Sequence, residues 1–280
     1  MPQDRHDGNL VADAADASVA PASGDPKHAH RRFYDDVTKR LDALEVGVYS
    51  YFLNLGYIAD ESPQYAQADV PAHAPNATSV KLALEVIADC DLTDRRLLDV
   101  GCGRGGTISV AATYFAPRQV TGIDLSGAAV AFDQRTHGGP AVRFCQGDAE
   151  HLPFADASFD VVSNIESSHT YPALHAFYAE VYRVLAPGGE FLYADLLPVP
   201  KMIASVEALK RIGFFVLRER DVTNNVLRSC DRVAPRRLDA FGATHDDVLE
   251  NFLSTPGSSV YESMRSGAST FRIFTLHKPR

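Results

Sequence analysis

Residues 97–106 read "LLDVGCGRGG", an apolar run that passes straight into a cluster of glycines. Read from Gly101, the tail spells G-C-G-R-G-G, which satisfies the G-x-G-x-x-G spacing of a loop that cradles a pyrophosphate. The loop alone leaves open whether its ligand carries phosphates. Its neighbours carry the argument further.

Toward the C-terminus, short apolar runs alternate with helical patterns. The pattern predicts strands at 96–100, 119–125, 142–147, 159–165, 190–196, 214–220 and 271–277, and helices near 105–114, 127–136 and 174–185. Such alternation builds β-α-β units, hence an α/β fold: a doubly wound, Rossmann-like, seven-stranded sheet with helices on both faces. Residues 31–54 place Phe33, Val37, Leu41 and Leu44 at helical spacing, and residues 76–89 form a second amphipathic helix with Asn76 as N-cap. Residues 221–270 separate the last two strands by far more than a loop needs, and they hold short helical patterns. They read as a helical lid over the strand ends. The expected organisation is a disordered tail over 1–30, an N-terminal helical cap over 31–90, the sheet core over 91–220, the lid over 221–270 and the final core strand over 271–280.

With 280 residues, 45% hydrophobic and 22% charged, the composition is that of an ordinary globular chain. A formal net charge of -9 disfavours nucleic acid as a partner, because phosphate binding wants a basic face. The first thirty residues lack the basic start and apolar core of a signal peptide. No run approaches the ~18 apolar residues of a membrane span. Four scattered cysteines without a C-x-x-C pair read as buried thiols in a reducing, cytoplasmic setting, and no metal-ligand spacing is discernible.

Ligands of an open α/β sheet sit beyond the carboxyl ends of its strands. The first expected strand ends in Asp99-Val100-Gly101 and the second in Asp124-Leu125. The third ends in Gly147-Asp148-Ala149 and the fourth in Asn164-Ile165-Glu166. Four acid-bearing ends would gather around one crevice. A pyrophosphate would be repelled there, whereas a ligand with a sulfonium, an ammonium, a ribose diol and an adenine would be held. Gly101, Gly103 and Gly105 let backbone approach such a ligand closely. Asp124 is placed to accept from both ribose hydroxyls, and Asp148 from the adenine amine. Taken singly, Asp148 could equally cap a turn and Asp124 the following helix.

On these motifs the chain resembles the class I S-adenosylmethionine-dependent methyltransferases. "LLDVGCGRGG", "VTGIDLS", "QGDAEHLPFADASFDVV" and "VLAPGGEFLYAD" follow that family's order across residues 95–198. The resemblance implies that Asp99 to Gly105 wrap the methionyl part, Asp124 with Leu125 hold ribose, and Asp148 with Ala149 hold adenine. Asn164 and Ile165 join the implied cofactor contacts, and the last strand is implied to run antiparallel. In such enzymes an N-terminal helix and loop close over the cofactor, which adds Tyr34 and Tyr57, although aromatics so placed more often pack. "NLGYIADES" and "NIESSHTYPALHAFYAEVYRVLAPGGEFLYADLLP" are similar to natural-product O-methyltransferases of the phthiotriolone/phenolphthiotriolone dimycocerosates methyltransferase type. That closer likeness implies a hydrophobic, polyketide- or lipid-like acceptor.

Methyl transfer to an alcohol requires the oxygen to lose its proton as it attacks. His169, just beyond the fourth strand, suits general-base work near neutrality. Glu166 is the reserve candidate, or a group that orients the histidine or the cofactor. Tyr49, Tyr51, Phe52, Phe241, Phe252 and Tyr261 are candidates to line an apolar acceptor pocket in cap and lid. The competing readings are C- or N-methylation on the same scaffold, a nicotinamide-dependent oxidoreductase, and a non-methylating S-adenosylmethionine-binding protein. The oxidoreductase reading lacks a Tyr-x-x-x-Lys pattern to accompany the glycines.

Overall fold

Successive residues of the first strand point to opposite faces of a sheet, and both faces are covered. Leu97 enters a core shared with Leu82, Ile87 and Val110, while Leu98 enters one shared with Phe177, Val181 and Leu209. The computed structural model describes residues 25–43, 51–60, 70–71, 73–74, 76–241, 251 and 253–280, with side chains of 236–241 excepted. Seven strands form one sheet: β1 Arg96–Val100, β2 Gln119–Asp124, β3 Val142–Gln146, β4 Phe159–Ile165, β5 Leu185–Pro198, β6 Phe215–Asp221 and β7 Ser269–His277. Their order is β3-β2-β1-β4-β5-β7-β6. Neighbours from β3 to β5 run parallel, and β7 lies antiparallel between β5 and β6. The doubly wound sheet and its antiparallel last strand are therefore as expected.

Eight helices are described: α1 Pro26–Ala43, α2 Ala77–Ile87, α3 Gly106–Tyr114, α4 Gly127–Thr136, α5 Leu174–Val184, α6 Val199–Ile212, α7 Thr223–Phe241 and α8 Ser259–Arg265. Three details depart from the sequence reading. Helix α1 opens inside the stretch expected to be a tail, because Pro26 is suited to a first helical turn and Asp25 Oδ1 accepts the Lys27 N–H at 3.0 Å. Asn76 precedes α2 in a left-handed conformation and makes no side-chain cap bond. Helix α6 was not anticipated: Pro198 and Pro200 look like breaks in the sequence, yet proline in the first turn starts a helix. Residues 1–24, and most of the helical pattern at 244–253, lie outside the described residues.

The aromatic layer under α5 supports the fourth strand end. Phe177 is fully buried, with ring centroids 5.0 Å from Tyr171 and 6.0 Å from Phe191. Phe177→Ala should lower stability by about 3–5 kcal/mol, the usual cost of removing a buried ring. Urea denaturation at unchanged m-value is the measurement.

Candidate active site

The β1–α3 turn brings backbone close to the ligand space. Gly101 has φ +68°, and a Cβ there would lie 2.0 Å from Ser167 Oγ, so no side chain fits. Gly103 donates its N–H to Asp124 Oδ2 at 2.8 Å, and Ser126 donates its N–H to Asp124 Oδ1 at 2.8 Å. Burial pushes the Asp124 carboxyl up to about 6, against the pull of these donors. These turns border a cavity of about 1000 Å³, at the top of the range for small-molecule clefts. Gly101, Gly103, Asp124, Leu125, Asp148 and Ala149 all line it. So do Ile165, Glu166, His169 and Tyr34.

Four of the expected cofactor-binding residues do not line the cavity. Asp99 is buried in β1, where it accepts Ser163 Oγ–H at 2.7 Å, and burial raises it to about 7. Gly105 caps α3 behind the loop, against the His137 ring. Asn164 donates to the Val100 carbonyl at 2.8 Å from a fully buried position. Tyr57 packs in the core beside α2, its N–H on the Thr78 carbonyl. Asp99, Gly105 and Asn164 brace the cavity wall from behind.

Helix α1 is strapped across the cofactor side by contacts that the sequence did not foretell. Asp35 Oδ1 accepts Ser126 Oγ–H at 2.6 Å and the Ala128 N–H at 3.2 Å. Arg104, from the glycine loop, donates to the Thr38 carbonyl at 3.2 Å and to Asp42 Oδ1 at 2.7 Å. Lys27 reaches Asp148 at 2.6 Å and also pairs with Glu150. Burial opposes ionisation of Asp148, but Lys27 and the Glu150 amide together outweigh it and hold the carboxyl below its ordinary range.

At the fourth strand end the two candidate catalytic residues part company. Glu166, at φ +50°, accepts the Leu55 N–H on both carboxylate oxygens, at 2.9 and 3.1 Å. It anchors the cap loop. His169 sits in a short 3-10 turn, Ser168–Thr170, and its Nδ1 meets Asp195 Oδ1 at 2.8 Å. Asp195 is completely buried on β5, and the sequence reading missed it. The signal was available: the expected fifth strand also carries an acid near its carboxyl end, in "LYAD". A carboxylate accepts, so Nδ1 carries a proton, and Nε2 has its lone pair when the ring is neutral. Burial pulls the histidine pKa down, yet the charge and hydrogen bond of Asp195 outweigh this and leave it raised. The His169 side chain keeps 37% of its surface open.

Tyr51 and Phe52 line the cavity on the glycine-loop side, with Phe52 against Gly106 and Tyr51 packed on Phe132 and His137. Tyr261 does not, and its hydroxyl donates to Asp231 Oδ1 at 2.8 Å instead. Tyr49 and Phe252, and the side chain of Phe241, lie outside what is described. The segment between β6 and β7 contributes Ser254, Val260 and Ser263, and α6 contributes Lys201, a more polar wall than the aromatic candidates implied. Among the described residues no group of three His, Cys, Asp or Glu is disposed to hold a metal ion, and no helix is long and apolar enough to cross a membrane.

Residues 98–193 match the family described as a methyltransferase domain. A fatty-acid O-methyltransferase of Mycolicibacterium smegmatis is 34% identical over 259 residues, covering 90% of this chain and 91% of the relative. The chain belongs to the S-adenosylmethionine-dependent methyltransferases. This methyltransferase is also 32% identical over 256 residues to a phthiotriol/phenolphthiotriol dimycocerosates methyltransferase of Mycobacterium leprae, covering 90% and 93% of the two chains. In fold it is similar to geranyl diphosphate C-methyltransferase from Streptomyces coelicolor A3(2), solved with S-adenosyl-L-homocysteine (TM-score 0.66, 20% identity, 92% and 100% covered). It is likewise similar to the cyclase SpnF (TM-score 0.68, 22% identity, 92% and 98% covered).

The chemistry of the cradle fits this methyltransferase's cofactor: bare glycine backbone at Gly101 and Gly103, and carboxylates at Asp124 and Asp148 able to accept from hydroxyls and amines. Asp124→Ala should weaken S-adenosylhomocysteine by about 2–3 kcal/mol, the worth of charged hydrogen bonds. In the wild type, affinity should fall as the pH drops through about 6, where Asp124 takes up a proton and stops accepting two hydroxyls. Isothermal calorimetry checks both, and unchanged affinity in the variant would remove Asp124 from the ribose role.

Proposed function

We propose that this methyltransferase acts on an oxygen of a lipid- or polyketide-like acceptor, with His169 as the general base. The observation that carries the reading is the His169–Asp195 pair at the edge of the cavity. The two named relatives, one on fatty acids and one on phthiotriol and phenolphthiotriol dimycocerosates, support the acceptor class. When bound, the cofactor supplies an electrophilic methyl group. Asp195 holds the imidazole in the Nδ1–H form, so Nε2 is the atom that takes the proton of an acceptor hydroxyl. Glu166, committed to the Leu55 amide through both oxygens, holds the cap loop in place rather than moving protons.

A carboxylate acceptor is the second reading, favoured by Lys201 in the cavity wall and by the raised pKa of His169. A carboxylate has no proton to lose, so a protonated His169 and Lys201 would hold it by charge. The two readings have opposite pH signatures. For a hydroxyl, the chemical step rises with pH through the raised histidine pKa, as Nε2 becomes free. For a carboxylate it falls over the same interval.

His169→Ala should slow single-turnover methylation of a hydroxyl acceptor by about 10²–10⁴-fold, the range of positioned proton transfer, and flatten the acidic limb of the profile. Cofactor affinity should stay nearly intact. Glu166→Gln should retain the chemical step within a few-fold. A large loss in Glu166→Gln beside a small one in His169→Ala would transfer the role to the glutamate.

A further inference from the structure

Behind His169 runs a chain of buried hydroxyls that proton transfer at Nε2 does not itself use. Asp195 accepts from Ser168 Oγ at 2.5 Å, His169 N at 2.9 Å, His169 Nδ1 at 2.8 Å and Leu196 N at 2.8 Å. Ser168 has one proton and gives it to Asp195, so its Oγ accepts from the Tyr193 hydroxyl at 2.8 Å. Tyr193 then accepts from Tyr178 at 3.1 Å, and the Tyr178 hydroxyl in turn pairs with the Ser205 side chain. Every O–H in the chain from Tyr178 onward points toward the Asp195 carboxylate. All four side chains are buried. The Tyr193 ring already stacks at 5.3 Å on Phe191 and 5.9 Å on Phe274, work that a phenylalanine would do as well. Packing therefore leaves the hydroxyl unexplained.

We infer that Ser168 and Tyr193 are positioning residues that stabilise the ionised Asp195 and thereby set the pH at which His169 becomes a base. The inference rests on the general-base reading of His169. When His169 loses its proton, the Asp195 charge is left without its ion-pair partner in a buried setting. Hydroxyl dipoles aimed at that charge stabilise this state and polarise one another. The carboxylate lifts the histidine pKa, and the hydroxyl chain limits the lift. The other charged or titratable groups facing the pair are Glu166 before the turn, Lys201 on α6, Tyr34 on α1, and Tyr171 and Tyr178. Of these, only Tyr178 loses a hydrogen-bond partner when the Tyr193 hydroxyl is deleted, and its hydroxyl keeps the Ser205 side chain.

The test is a proton–carbon NMR titration of the histidine rings, with the His169 signal identified as the one of ten that His169→Gln lacks. It is paired with single-turnover pH profiles. Tyr193→Phe should raise the His169 pKa by about half a pH unit, and Ser168→Ala by about one, the scale of a single hydrogen bond. Tyr178→Phe, one bond further away, should shift it less, and it serves if Tyr193→Phe does not fold. The acidic limb should move upward by the same amounts while the plateau rate changes little. An NMR pKa that stays put in folded Tyr193→Phe and Ser168→Ala overturns the inference, even if activity falls. An NMR shift without a matching kinetic shift upholds the hydroxyl chain and instead overturns His169 as the base.

Discussion

Asp124 holds two βα turns with one carboxylate. Its oxygens receive the Gly103 amide from the turn after β1 and the Ser126 amide from the turn after β2. Together with the Gly101 and Cys102 amides, which bond the Ile123 carbonyl, those bonds fix the separation of the two turns at the carboxyl edge of the sheet. Ser126 then passes the constraint outward, because its hydroxyl both caps α4 and bonds Asp35 of α1. One acid thus organises loop, helix and strap together.

Gathering carboxylates in a buried crevice is costly unless some of them discharge. Burial raises Asp99 to about 7 and Asp133, which receives the Cys102 thiol, to about 9. Burial thus favours the protonated form of the acids behind the glycine loop, while the Lys27 ion pair favours the charged form of Asp148.

Residues 54–58 form a seam between α7 and the end of β4. Leu55 gives its amide to Glu166, and its carbonyl accepts the Ser229 hydroxyl from α7 at 2.8 Å. Asn225 of the same helix donates to the Ile58 carbonyl at 2.9 Å. Residues 54–58 thus connect α7 to the strand end that precedes His169. A left-handed Glu166, unusual for a residue with a side chain, is the geometry that aims its carboxylate at this loop.

Sheet, glycine loop and strand-end acids were legible because each is a local pattern: period-two apolar runs, φ-positive glycines, and acids one residue from a strand end. The sequence by itself determined where the crevice lies and that it suits a cation bearing a diol. It did not determine which aromatic faces that crevice: Tyr34 lines it and Tyr57 packs in the core, although both precede the first strand. Nor could it pair His169 with Asp195, Leu55 with Glu166, or Lys27 with Asp148, which lie 26, 111 and 121 residues apart. Such contacts are selected by how strands align and helices pack across the whole sheet. Periodicity encodes which face a residue takes, and only the assembled layers decide what it meets there.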